Sequence, residues 1–249
     1  MHIKTYKTHP ITANEDLLGI IDAYIPKLNE QSILVITSKI ISLCEGSIIN
    51  KMEVSSKEAL IRESADAYLD DKNEHLSLHS IQLTIKNNIL IPSAGIDESN
   101  GNDVYILYPQ NVQQTASVVW EHLRKRDDLN ELGVLITDSH TTPLRRGVIG
   151  IGLGWCGFKP LSNYIGQLDC FGHPLRFTMA NHVDALAASA VFCMGEGSEQ
   201  TPFAVIEETA KIEFQPSAPT DLETQQISIP IDEDLYAPLL KNIHWISKL

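Results

Sequence analysis

Three short segments of this 249-residue chain place carboxylates among small residues. They are Gly95-Ile96-Asp97-Glu98-Ser99-Asn100, Thr137-Asp138-Ser139-His140 and Met194-Gly195-Glu196-Gly197-Ser198-Glu199. Each borders an apolar stretch. Glycine and serine let a backbone come close to a ligand, and a carboxylate at such a turn is placed to hold a hard cation such as magnesium. The same residue types are favoured in plain turns. On spacing alone both readings stand.

Other patterns carry less chemistry. Gly152-Leu153-Gly154-Trp155-Cys156-Gly157 has the spaced glycines of a dinucleotide site, but that site needs a helix N-terminus right after the turn. Pro160 follows too soon for more than a turn of helix, so a strand packed closely against another backbone is the better reading. There is no P-loop pattern and no Gly-x-Ser-x-Gly elbow. His75 and His79 have zinc-like spacing without a third ligand, which reads as a solvated pair.

The acidic segments need elements to hold them. Ser32 to Thr37 is a β-branched, apolar run and predicts a buried strand, with Ser38 and Lys39 where it ends and the chain turns. Gly133 to Thr137 predicts a second buried strand that delivers Asp138, Ser139 and His140 to its end. Ser56 to Leu69 predicts a helix, and Val112 to Arg126 an amphipathic one with Val112, Ala116, Val119 and Leu123 on one face. Ile89 to Ile91, Val104 to Leu107, Val148 to Leu153 and Pro202 to Ile206 predict further strands, and Asn181 to Phe192 an Ala-rich helix. Pro92 to Asn102 and Gly195 to Ser198 predict loops. Without strict strand–helix alternation, the order predicts an α+β fold.

The bulk numbers exclude some classes. A formal charge of -13 repels bulk nucleic acid, and the Arg124-Lys125-Arg126 cluster is followed at once by two aspartates. The four cysteines, Cys44, Cys156, Cys170 and Cys193, are widely spaced and read as reduced thiols. No apolar run approaches the length of a membrane span, and Met1 to Thr5 lacks the apolar core of a signal peptide. A cytoplasmic protein is the expectation.

Taken in order, the segments resemble one family, the γ-glutamyl ligases of the deazaflavin coenzyme F-420, with their bacterial relatives often labelled folate-metabolism γ-glutamate ligases. The resemblance runs through Ile36-Thr37-Ser38-Lys39-Ile40, Ser93 to Asn100, and Asp138-Ser139 with Pro143-Leu144-Arg145-Arg146-Gly147. It continues through Gly154-Trp155-Cys156-Gly157, Asp169-Cys170-Phe171-Gly172, Asp184-Ala185-Leu186-Ala187 and Met194-Gly195-Glu196. It spans about residues 10–207. It implies two interlocked β-rich halves with flanking helices, assembled as a homodimer. Residues 1–214 would form this unit and 215–249 a C-terminal extension.

The resemblance also implies GTP as co-substrate and two Mg2+ or Mn2+ ions, with L-glutamate and a small carboxylate acceptor as the other partners. Asp97, Asp138, Ser139 and Glu196 match the family's metal ligands. Ser38, Lys39 and Asn100, with Met194, Gly195 and Glu196, match its nucleotide-binding positions. Lys39, Arg145 and Arg146 are the candidate catalytic side chains, and the arginines equally suit a dimer interface. The sequence departs from the family pattern at Leu43 (usually Lys), Ser139 (Thr), Gln113 (Asp), Leu144 (Trp) and Ile165 (Arg). Three activities stay open at this level: a ligase, a nucleotide-binding regulator that lost the ligase step, and a metal-dependent phosphohydrolase.

Overall fold

A computed structural model describes residues 1–69, 81–99, 101, 103–209 and 211–247. Asn100, His75 and His79 lie outside the described residues. The chain begins with β1 (His2–Tyr6), α1 (Leu17–Tyr24), β2 (Ser32–Thr37), α2 (Ser38–Cys44) and β3 (Ile48–Asn50). Then come α3 (Lys57–Ser64), β4 (Ala67–Leu69), β5 (Leu83–Lys86), β6 (Ile89–Pro92) and β7 (Val104–Ile106). The second half holds α4 (Val112–Asp127), β8 (Leu132–Thr141), β9 (Val148–Cys156), β10 (Leu161–Asn163), β11 (Met179–Asn181), α5 (His182–Met194) and β12 (Phe203–Glu207). Short pieces close the chain: α6 (Asp221–Gln225), α7 (Ala237–Leu240) and β13 (Trp245–Ser247). Among the described residues no helix is long and apolar enough to cross a membrane.

The fold is α+β. Its main sheet has the order β1-β12-β2-β8-β9, and within it only β2 and β8 run parallel. Strand β2 is buried on both faces, which is why its sequence is a continuous apolar run. Leu34 and Ile36 point to a core shared with α1, α2 and α4, while Ile33 and Val35 point to a second core shared with α5. A smaller sheet, β13-β4-β5-β6, and the pair β3-β7 complete the fold together with β10-β11. Strands β3 to β7 all fall within the connection from β2 to β8.

Two expectations need correction. The helix predicted over 56–69 ends at Ser64, and Ala67–Leu69 forms β4 instead. Only Leu60 and Ile61 of that helix are buried, and Tyr68 pairs with Thr84 and Ile246. Those partners are far away in sequence, so local periodicity could not show them. Second, β8 does not stop at Thr137 but continues to Thr141. Its partner β2 does end at Thr37, so Asp138 to Thr141 are paired only with β9 on one side.

The glycines of β9 serve close packing. A Cβ on Gly152 would stand 2.1 Å from Val183 Cγ1, and one on Gly150 2.4 Å from the Ala187 carbonyl oxygen, both on α5. A register shift opposite Ile136 and Thr137 turns Gly154 to the other face, against Val112 of α4. Gln113 bonds both the Trp155 carbonyl, at 2.6 Å, and the Trp155 N–H. The chain runs from these glycines into β10, with no helix before α5.

Candidate active site

Strand register brings the site residues together. The parallel pair β2 and β8 aligns Thr37 with Thr137, so Ser38 and Asp138 leave the same end of the sheet side by side. Strand β12 is antiparallel to β2 and starts at that end, where the Thr37 N–H donates to the Pro202 carbonyl at 3.0 Å. The loop from Gly195 to Pro202 therefore reaches the same edge. It departs from α5 at Gly195, whose φ of 85° suits glycine alone. Ligands in open α/β sheets bind outside the carboxyl ends of parallel strands for this same reason.

Asp97 arrives from the smaller sheet. Its segment leaves β6 through Ser93, Ala94 and Gly95, all left-handed, with φ of 53°, 55° and 71°. Two of these are not glycine, and that strain must be held by neighbours. The Thr84 hydroxyl accepts the Ala94 N–H at 2.8 Å and donates to the Ile91 carbonyl. Beyond the turn, Asp97 and Ile106 exchange backbone hydrogen bonds of 2.9 and 2.8 Å. The carboxylate is thus fixed at both flanks.

Lys39, Asp97, Asp138, Ser139, Met194, Gly195 and Glu196 line one cavity of about 790 Å³. Lys39 Nζ lies 2.7 Å from Asp97 Oδ2 and 3.1 Å from Ser99 Oγ. The Ser99 N–H and hydroxyl also donate to Asp97, at 2.7 and 3.0 Å. Burial works against the Asp97 charge, but Lys39 and Ser99 outweigh it and hold this carboxyl below its ordinary range. Ser139 Oγ donates to Glu196, 2.9 and 2.7 Å from its two oxygens.

Asp138 is different. Desolvation pushes its carboxyl up to about 6, and the Asp97 charge adds to the shift, against hydrogen bonds from the Ser139 N–H and the Ser38 hydroxyl. It is an anion short of positive charge. Among the described residues no three His, Cys, Asp or Glu side chains stand close enough to form a ready metal cluster. Lys39 lies against Asp97 and Ser139 against Glu196 instead. The carboxylates of Asp97, Asp138 and Glu196 and the Ser139 hydroxyl are hard oxygen donors on that lining, and a divalent cation would supply what Asp138 lacks. The residues fit such an ion.

The other sequence candidates fall elsewhere. Ser38 is buried at the start of α2, behind the cavity lining. Arg145 and Arg146 stand on the exposed tip between β8 and β9, outside the cavity wall. Leu43, one turn after Lys39 on α2, does line the cavity, together with Ile11, Ile81, Leu83, Ile91 and Val148. That apolar wall was not legible as a site, because its residues come from four separate elements and two connections. Ser99 sits within an acidic segment, but only the structure shows that it bridges Asp97 and Lys39.

The comparisons with known proteins agree with one another. Residues 5–208 match the family model described as F-420-0:γ-glutamyl ligase. The chain belongs to this family. It is therefore an enzyme of a family that forms γ-glutamyl amide bonds. A coenzyme F-420:L-glutamate ligase of Methanococcus maripaludis is 31% identical over 209 residues, covering 79% of this chain and 83% of the relative. The ligase of the same name from Methanothermobacter thermautotrophicus is 31% identical over 191 residues, 72% of this chain and 75% of its own. That of Methanocaldococcus jannaschii is 28% identical over 190 residues, 72% and 76%.

Proposed function

We propose that this γ-glutamyl ligase family member is metal- and GTP-dependent, and joins L-glutamate to the carboxylate of a small acceptor through an acyl phosphate. The observation that supports this most is the convergence of Lys39, Asp97, Asp138, Ser139 and Glu196, from four separate parts of the chain, on one cavity. Asp97, Asp138, Ser139 and Glu196 would hold two Mg2+ or Mn2+ ions. Such ions, when bound, neutralise phosphate oxygens during phosphoryl transfer. The γ-phosphoryl group of GTP passes to an acceptor carboxylate oxygen, leaving GDP. The glutamate amine attacks the acyl carbon, loses a proton, and phosphate departs. Lys39 compensates phosphate charge, while Ser38 orients Asp138. Asn100 and the Met194-Gly195-Glu196 turn would flank the nucleotide. The apolar wall around Leu43 and Ile91 limits water near the acyl phosphate, which water would otherwise hydrolyse.

The family description names F-420-0 and the relatives' names coenzyme F-420, so the acceptor is taken to be an F-420 precursor, with folate-type carboxylates as the second candidate. GTP, L-glutamate and such an acceptor are all small cytoplasmic molecules, and we place the enzyme there. Phosphate release from GTP separates the activities left open by the sequence. The expected result is release that requires both glutamate and acceptor. Release with neither would make the protein a hydrolase, and tight GTP binding with no release would make it a binder.

We also propose that the chain works as a homodimer with interlocked halves. Leu144, fully exposed beside Arg145 and Arg146, and Phe171 and Phe177, 83% and 88% exposed between β10 and β11, form apolar surface that a second copy would cover. The two arginines then act at the interface. Light scattering at micromolar concentration should give twice the chain mass, and the mass of a single chain would refute the assembly. Residues 1–214 are taken as the ligase unit and 215–249 as its extension, since the family match ends at residue 208.

A further inference from the structure

Lys39 has two possible targets in one cavity, and the structure shows it on the less expected one. Its ammonium is surrounded by oxygens: Asp97 Oδ2 at 2.7 Å, Ser99 Oγ at 3.1 Å and the Ser99 carbonyl at 3.5 Å. Ser99 spends its N–H and hydroxyl on the same carboxylate, so Asp97, Ser99 and Lys39 form a closed group. That is the environment of a cation site, with an ammonium as the cation. Among the described residues Lys39 is the only lysine or arginine lining the cavity, against the carboxylates of Asp97, Asp138, Glu196 and Glu199.

We propose that Lys39 holds the place of a cation at Asp97 and gives it up when metal binds, so that metal entry frees the ammonium to meet the triphosphate. This rests on the metal and nucleotide reading given above. The physical reason is competition. An ammonium and a divalent ion cannot both sit against one partly buried carboxylate, because their mutual repulsion adds to the lost ion pair. Lys39 stands on the first turn of α2, at the mouth of the parallel pair, and a rotamer change of its long side chain is enough to move the charge. Metal and nucleotide then bind with positive coupling, metal first.

One substitution should act in opposite directions on the two ligands. Calorimetry is run with Mn2+ alone, then with GTP at saturating Mn2+, on wild type and on Lys39→Met, Lys39→Gln and Lys39→Arg. Removing the competing charge in Met and Gln should tighten Mn2+ by about fivefold or more, the scale of a partly exposed ion pair. The same variants should weaken GTP by about tenfold or more, as expected for a lost charge-assisted contact. Arg, which keeps the charge, should leave Mn2+ affinity near wild type. Unchanged or weaker Mn2+ binding in both Met and Gln overturns the displacement, leaving Lys39 a plain nucleotide contact. Absence of Mn2+ binding in all four proteins overturns the metal reading itself, which is a separate result.

Discussion

Asp138→Asn is expected to abolish Mn2+-dependent GTP binding, with a loss of at least about a thousandfold, and with it all glutamate-dependent phosphate release. The size follows from replacing a desolvated carboxylate by a neutral amide where Asp97 is already paired with Lys39 and Glu196 with Ser139. The fold should not suffer. Without a metal, desolvation holds the Asp138 carboxyl at about 6, above its ordinary 3.8. Its contribution to stability is therefore fully present below pH 4 and lost as pH rises through about 6. At pH 8 the wild type, assayed without metal, carries a poorly solvated charge that the amide removes. The variant should melt at the same temperature or somewhat higher at that pH, an effect on the order of 1–2 kcal/mol. Metal binding runs the other way, since the proton must leave first. Wild-type Mn2+ affinity should fall by about tenfold per pH unit below about 6. Unchanged Mn2+-dependent GTP binding in Asp138→Asn, measured by calorimetry, would remove the residue from the site.

The second large effect is at Gly152. A valine there would drive its Cβ to within 2.1 Å of Val183 Cγ1, and the backbone of Val183 stands 3.4 Å away. Overpacking in a core usually costs about 1–3 kcal/mol. Here α5 must also move, so the melting temperature should drop by roughly 5 °C or more for a chain of this size. The consequence reaches the site, because α5 ends at Met194 and leads directly to Glu196. Gly152→Val should thus weaken metal-dependent binding as well as stability. Gly154→Ala, whose nearest neighbours would be at 3.1 Å, should be milder. A Gly152→Val protein with wild-type melting would show that β9 and α5 are not packed as described.

Much of this was legible in the sequence where local chemistry decides structure. The run Ser32 to Thr37 is a strand because it is apolar and β-branched on both faces, and its bounds agree with the structure. The amphipathic spacing of Val112, Ala116, Val119 and Leu123 gave α4. The small residues and carboxylates of the three acidic segments marked the loops and strand end that line the cavity. What failed was non-local. Strand β1, His2–Tyr6, alternates too weakly to be read alone, and it forms by pairing with β12, some two hundred residues away. Helix α3 stops because Ala67 to Leu69 is claimed by β5 and β13. The meeting of Asp97 with Lys39 depends on a left-handed turn at Ser93 and Ala94, residue types that give no sign of positive φ. Likewise the resemblance named Arg145 and Arg146, but only tertiary structure shows them on an exposed tip outside the cavity wall.

The identity of the product tests the ligase reading most directly. The measurement is mass spectrometry of the acceptor after incubation with the enzyme, Mn2+, GTP, L-glutamate and the F-420 precursor named by the family. The expected product carries one added glutamyl residue in amide linkage, forms with one GDP released per amide, and requires every component. Stoichiometric GDP release without any glutamylated product, from this acceptor and from folate-type carboxylates alike, would contradict the ligase assignment and leave a phosphohydrolase built on the same carboxylates.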